Sequence, residues 1–208
     1  MAVSTRALRR INFPISGRGH YRVSRRLVPA ATTLAGILWA ARFTSAGKLA
    51  VILDVKLDVL QVGAPTAAIE DQFTLSRATG YTATDTTGSV AITPAAGKQK
   101  MKTTYDDALL VLRESNIAAG ASGGTKTIDT DPLARGSLWV LAALSAAGGA
   151  PVEVLRYQPG IMNGESPLIL APDEGLVLEN KNAFGTASGI VLSLTMAWLE
   201  ATTAEYLI

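Results

Sequence analysis

Apolar and polar residues alternate along this chain in short runs separated by turn-rich segments. Residues 50–60 end in strict alternation, with Leu53, Val55, Leu57 and Val59 on one side and Asp54, Lys56 and Asp58 on the other. That period predicts a half-buried strand. Residues 39–44 predict its predecessor, stopped by the turn-prone Ser45-Ala46-Gly47-Lys48. Residues 72–78 repeat the alternation with Phe73 and Leu75 inward, and residues 152–157 read as another strand, closed by Gln158-Pro159-Gly160. Towards the C-terminus, Leu168-Ile169-Leu170 and residues 176–180 flank the turn Ala171-Pro172-Asp173-Glu174-Gly175. A long final strand follows, in which Ile190, Leu192, Leu194, Met196 and Trp198 share a face.

Two apolar runs, 107–112 and 137–144, fit a strand or a short helix equally well, because periodicity does not separate the two at this length. Residues 79–97 are rich in Thr, Gly and Ala and predict a long exposed loop with little to offer a core. Residues 118–126 predict a turn region. About eight strands, with no βαβ rhythm and no repeat of 20–50 residues, point to a β-sandwich or jelly roll.

Composition agrees with that class. A chain of 208 residues fits one large domain or a domain with extensions. Its hydrophobic content of 48% contrasts with only 6% aromatics, a mixture suited to short strands and small-residue turns. The absence of cysteine excludes disulfides and thiolate metal sites. The single histidine, His20, has no evident catalytic companion.

Charge adds a division that hydropathy does not show. Arg6, Arg9, Arg10, Arg18, Arg22, Arg25 and Arg26 precede any acidic residue, whereas from Leu27 onward acids outnumber bases, 17 to 12. The chain therefore reads as a basic N-terminal arm over residues 1–33 and an acidic β-domain over 34–208, and those seven arginines are the candidate partner-binding residues. Residues 1–41 imitate a targeting sequence. Their apolar part is broken by Pro29, two threonines and Gly36 and is too short to span a bilayer. An arm attracted to an acidic surface, on a sister copy or another protein, is the preferred reading over nucleic-acid contact.

Candidate chemistry is sparse. Gly17-Arg18-Gly19 and residues 120–126 lack the spacing of a phosphate loop and read as flexible turns. The carboxylate pairs Asp106-Asp107, Asp129/Asp131 and Asp173-Glu174 read as solvated turn acids, without a calcium-loop pattern. There is no GxSxG elbow. Trp39, Trp139 and Trp198 could form a sugar-stacking platform, but each lies in an apolar stretch and is assigned to the core or a subunit interface. The Lys98-Gln99-Lys100-Met101-Lys102 cluster reads as a solvated strand face or an interface rim. No catalytic, cofactor-binding or metal-ligating residue is expected.

The succession Gly164-Glu165-Ser166-Pro167-Leu168-Ile169-Leu170-Ala171-Pro172-Asp173-Glu174-Gly175-Leu176-Val177-Leu178, with a closing strand ending Trp198-Leu199-Glu200, resembles jelly-roll virion proteins of tailed bacteriophages. Thr127-Ile128-Asp129 and Asp131-Pro132-Leu133-Ala134 fit the same pattern, so the resemblance covers mainly residues 125–200. It implies a jelly-roll antiparallel β-sandwich acting as a capsid cement or decoration protein on the capsid exterior. The implied partners are the major capsid protein and further copies of the chain as a homodimer or homotrimer, with no membrane, nucleic acid or cofactor. The arginine-rich arm departs from the plainer members of that group. Two other classes remain: a receptor- or glycan-binding head or tail module using the 79–97 loop, and an enzyme.

Overall fold

The computed structural model describes residues 19–28, 35–61, 69–94, 97–115, 120–140, 150–159, 166–184 and 189–203. Among them run thirteen strands: β1 (Gly19–Leu27), β2 (Gly36–Phe43), β3 (Lys48–Gln61), β4 (Ile69–Thr79), β5 (Ser89–Ile92), β6 (Lys98–Lys100), β7 (Val111–Ser115), β8 (Thr127–Ile128), β9 (Ala134–Val140), β10 (Val152–Tyr157), β11 (Ile169–Leu170), β12 (Glu174–Asn180) and β13 (Ile190–Thr202). They form two antiparallel sheets packed as a β-sandwich. The first has the order β10-β3-β13-β1-β6, with β11 also on β3, and the second β5-β7-β2-β12-β4-β8, with β9 also on β4.

Alternation builds the core. Along β13, Ile190, Leu192, Leu194, Met196 and Trp198 are buried on the expected face. They meet Phe43, Phe73, Leu75, Leu176 and Leu178 of the facing sheet in one cluster. The parity of β3 changes part-way. Ala197 lies opposite Asp54 and Trp198 opposite Ile52, so Leu53 is the extra residue of a bulge. Val55, Leu57 and Val59 face inward as expected, but beyond the bulge Ile52 and Ala50 take over, and Leu53 leaves the buried set.

The structure places part of the expected arm in the sandwich. Residues 19–27, expected within the arm, are strand β1, paired with β13 from Gly19↔Glu200 to Leu27↔Leu192 and with β6 on its other side. Tyr21, Val23 and Leu27 are buried in the core while Arg22, Ser24 and Arg26 are exposed. The arginines masked a strand period that was already in the sequence. The 33/34 boundary itself lies outside the described residues. Of the first ambiguous run, 107–110 is irregular and 111–112 open β7; of the second, 137–140 end β9, and 141–144 lie outside the described residues.

Candidate functional site

Two halves of the second sheet's outer face are treated differently. Over one half, outward-facing Ala40 of β2, Val177 of β12 and Ala78 of β4 are covered by Tyr81 and Ala121, which form a separate small core with Ile37. The exposed-loop expectation for residues 79–97 is therefore overturned in part: Tyr81 and Asp85 are fully buried, whereas Thr82, Thr86, Thr87 and Val90 are exposed. The segment closes back on the sheet through hydrogen bonds between Thr87 and Ser122 and from Ala121 N to Ile37 O at 2.8 Å. Residues 120–126, read as flexible turns, are the other wall of this closure.

An ionic knot holds that closure. Asp85 accepts from Lys126 Nζ at 2.6 Å, from the Gly124 amide at 3.0 Å and from the Tyr81 hydroxyl. Burial alone would raise the Asp85 carboxyl, but those donors outweigh it and hold the pKa below the ordinary 3.8. Burial, with Asp85 as acceptor, raises the Tyr81 hydroxyl in turn and keeps it protonated as a donor. Lys126 Nζ stands 4.9 Å from the centre of the Tyr81 ring. Alongside, Arg42 binds Thr84 Oγ1 at 3.1 Å and Asp173 Oδ1 at 3.0 Å. Glu174 pairs with Arg77 and accepts from Ala171 N at 2.9 Å. The turn acids Asp173 and Glu174, expected to be solvated, are thus tied down.

The other half is open. A groove of about 750 Å³ runs over β4, β9 and β12, lined by the polar Glu70, Gln72, Thr74, Asp129, Arg135, Ser137, Glu179 and Lys181 and by the apolar Phe73, Ile128 and Pro132. Cross-strand register puts Glu70 opposite Trp139, Gln72 opposite Ser137 and Thr74 opposite Arg135, all on this face. Trp139 is 64% exposed, whereas Trp39 and Trp198 are buried at 4% and 0%. Trp139 is therefore not a core residue of this chain, which leaves the subunit-interface half of its expected role. Its inward neighbour Leu138 packs against the core instead, and alternation turns the indole outward. Gly136, also on the inward side of β9, permits close approach to β10, since a Cβ there would collide with the Val154 carbonyl oxygen.

Buried charges elsewhere bind elements together. Glu200, only 4% exposed, accepts from Leu109 N, Leu110 N and Trp198 Nε1 at 2.9–3.0 Å, anchoring the 106–110 segment to β13. Lys98 of the basic cluster turns inward, donating to Leu110 O at 2.8 Å, and burial lowers its pKa. Lys100 pairs with Asp107 at 2.7 Å.

The predicted arginines do not act as one set. Arg25 points between the sheets and makes a two-point contact with the buried Glu114 of β7, Nε to Oε2 at 3.0 Å and Nη2 to Oε1. Arg22 and Arg26 project from the outer face of the first sheet. Arg6, Arg9, Arg10 and Arg18 lie outside the described residues.

Among the described residues, no group of three or more His, Cys, Asp or Glu is placed to hold a metal ion, and no helix is long and apolar enough to cross a membrane. Comparison with protein-family models, curated proteins and solved structures found no match to this chain.

Proposed function

We propose that this chain is a jelly-roll structural protein of a tailed-bacteriophage particle, a cement or decoration protein that binds the major capsid protein on the capsid exterior. The observation that carries the reading is the nesting of its strand pairs. β1 pairs with β13, β2 with β12, β3 with β10 and β4 with β9. One long antiparallel hairpin, rolled up, gives that nesting, and a jelly roll arises in the same way. The virion-like phrase supports the reading further, because residues 168–178 fall on β11, its turn and β12, which form the return limb of that hairpin.

In this reading the chain acts by mass action. Each copy binds the assembled shell and not its dissociated subunits, and so stabilises the shell. Attachment falls to Arg22 and Arg26, which have no ion-pair partner among the described residues, together with Arg6, Arg9, Arg10 and Arg18 of the preceding segment. Arg25 is excluded, being committed to Glu114.

Mass-spectrometric quantification of purified particles of the encoding phage tests this. The expected result is a copy number comparable with that of the major capsid protein, with added chain raising the temperature at which heads lacking it burst. Absence from particles, or a few copies confined to the tail, would overturn it.

A further inference from the structure

We propose that the open groove on the second sheet binds a glycan built of neutral hexopyranose units, with Trp139 as its stacking platform. An indole left in water forgoes the burial that Trp39 and Trp198 enjoy. Here it follows the groove residues Arg135 and Ser137 on the same face of β9, just beyond the groove's own lining and opposite Glu70, which belongs to it. A pyranose ring presents an apolar C–H face and a rim of hydroxyls. The first matches an exposed indole, and the second matches carboxylate, amide and hydroxyl groups fixed on a sheet. The pairs Glu70↔Trp139, Gln72↔Ser137 and Thr74↔Arg135 extend over about 13 Å of strand, room for a short run of sugar rings.

Several details favour this ligand class. Thr74 Oγ1 is buried in the groove lining without a hydrogen-bond partner, an arrangement that a ligand hydroxyl would relieve. Lys181 is tied to Glu179 at 2.5 Å, and Gln72 Nε2 donates to Glu70 at 3.2 Å, so the planar groups are held in place before a ligand arrives. Glu70, Asp129 and Glu179 outnumber Arg135 and Lys181, which disfavours anionic saccharides. Phe73, Ile128 and Pro132 stand among the polar groups of the lining, a mixture that suits a ring with one apolar face and a rim of hydroxyls. Of the 79–97 segment, the other expected glycan surface, Tyr81 and Asp85 are packed over the other half of the face.

This site is tested on the isolated full-length chain, so it stands or fails separately from the particle reading. Maltohexaose, cellohexaose, chitohexaose and, as the anionic probe, a hyaluronan hexasaccharide are titrated calorimetrically into the wild type and into Trp139→Ala and Gln72→Ala. At least one neutral hexasaccharide should bind, and Trp139→Ala should weaken it about tenfold or more with an unchanged melting temperature. Should Trp139→Ala melt early, Trp139→Phe and the wild type decide: the phenylalanine variant retains part of the affinity, and the bound sugar shields Trp139 fluorescence from acrylamide. Binding of no neutral probe, binding of hyaluronan alone, equal binding by a folded Trp139→Ala, or an unshielded indole each overturns the proposal. So does a wild-type oligomer in sedimentation that Trp139→Ala dissolves, which would make this face a contact between copies of the chain.

Discussion

Trp198 and Glu200 sit two residues apart on β13 and are buried as a pair, the indole donating to the carboxylate at 3.0 Å and stacking on Tyr21 at 5.6 Å between ring centres. Trp198→Ala should cost about 3–5 kcal/mol, from lost transfer energy and the cavity left behind, a large share of a typical domain's stability. Urea unfolding measures it, and a wild-type midpoint would mean that the indole is not a core residue. Asp85 sets an acid limit. Its folded pKa lies below the unfolded 3.8, so the unfolded state binds more protons as the pH drops. The stability this supplies is complete above that value and is lost as the pH falls through the folded pKa. Asp85→Asn should therefore destabilise at pH 7 by about 3–5 kcal/mol, by leaving Lys126 buried with no charge partner, and should flatten the loss of stability below pH 4. A melting temperature with unchanged acid dependence in Asp85→Asn would refute this. The burial of Trp198 was legible in the alternation of β13. The roles of Asp85 and Lys126 were not, since they are 41 residues apart and meet only when two irregular segments close over Ala40, Ala78 and Val177.

At the scale of elements, β1 makes the N-terminal segment two things at once. Tyr21, Val23 and Leu27 fill the core, and the strand lies between β13 and β6. Deleting residues 1–18 should leave a folded domain, since among the described residues every strand of the two sheets begins at Gly19 or later. Deleting 1–26 should abolish the cooperative melt, because it uncovers one side of β13 and removes Arg25 from Glu114, a buried acid left unpaired. Thermal melts followed by circular dichroism separate the two, and a cooperative wild-type melt of the shorter chain would show that β1 is dispensable. Most strands were readable from period alone, including β3, β10, β12 and β13. Two failures have physical causes. In β1 the exposed arginines outweighed the three apolar positions between them, so charge concealed the period. In β3 the bulge at Leu53 reversed the face of everything before it, and a one-residue insertion leaves no mark in hydropathy.

For the whole molecule, period says which residues face inward but not which strands meet. The pairing of β1 with β13 joins Gly19 to Glu200, a closure of nearly the full chain that no local period announces. Charge is the other whole-molecule property, and the fold arranges it unevenly. On the first sheet's outer face the acids of β3 and β10 are largely matched: Lys56 reaches Asp58 at 3.0 Å and Glu153 at 3.3 Å, and Arg156 reaches Asp54 at 3.3 Å. At the β1 side of the same face, Arg22 and Arg26 stand exposed without an ion-pair partner among the described residues. A surface of that kind steers towards an acidic partner at low salt and weakens as salt screens it. Replacing Arg22 and Arg26 together by Gln removes only exposed charge, so stability should change by no more than about 0.5 kcal/mol. On the proposed capsid role, attachment to phage heads should nevertheless weaken and become less sensitive to added salt than in the wild type. Co-sedimentation across a salt series measures both quantities. If the double variant attached with wild-type affinity and an unchanged salt dependence, the strand's arginines would have no part in docking, and the charge asymmetry would have to act through residues 1–18 alone.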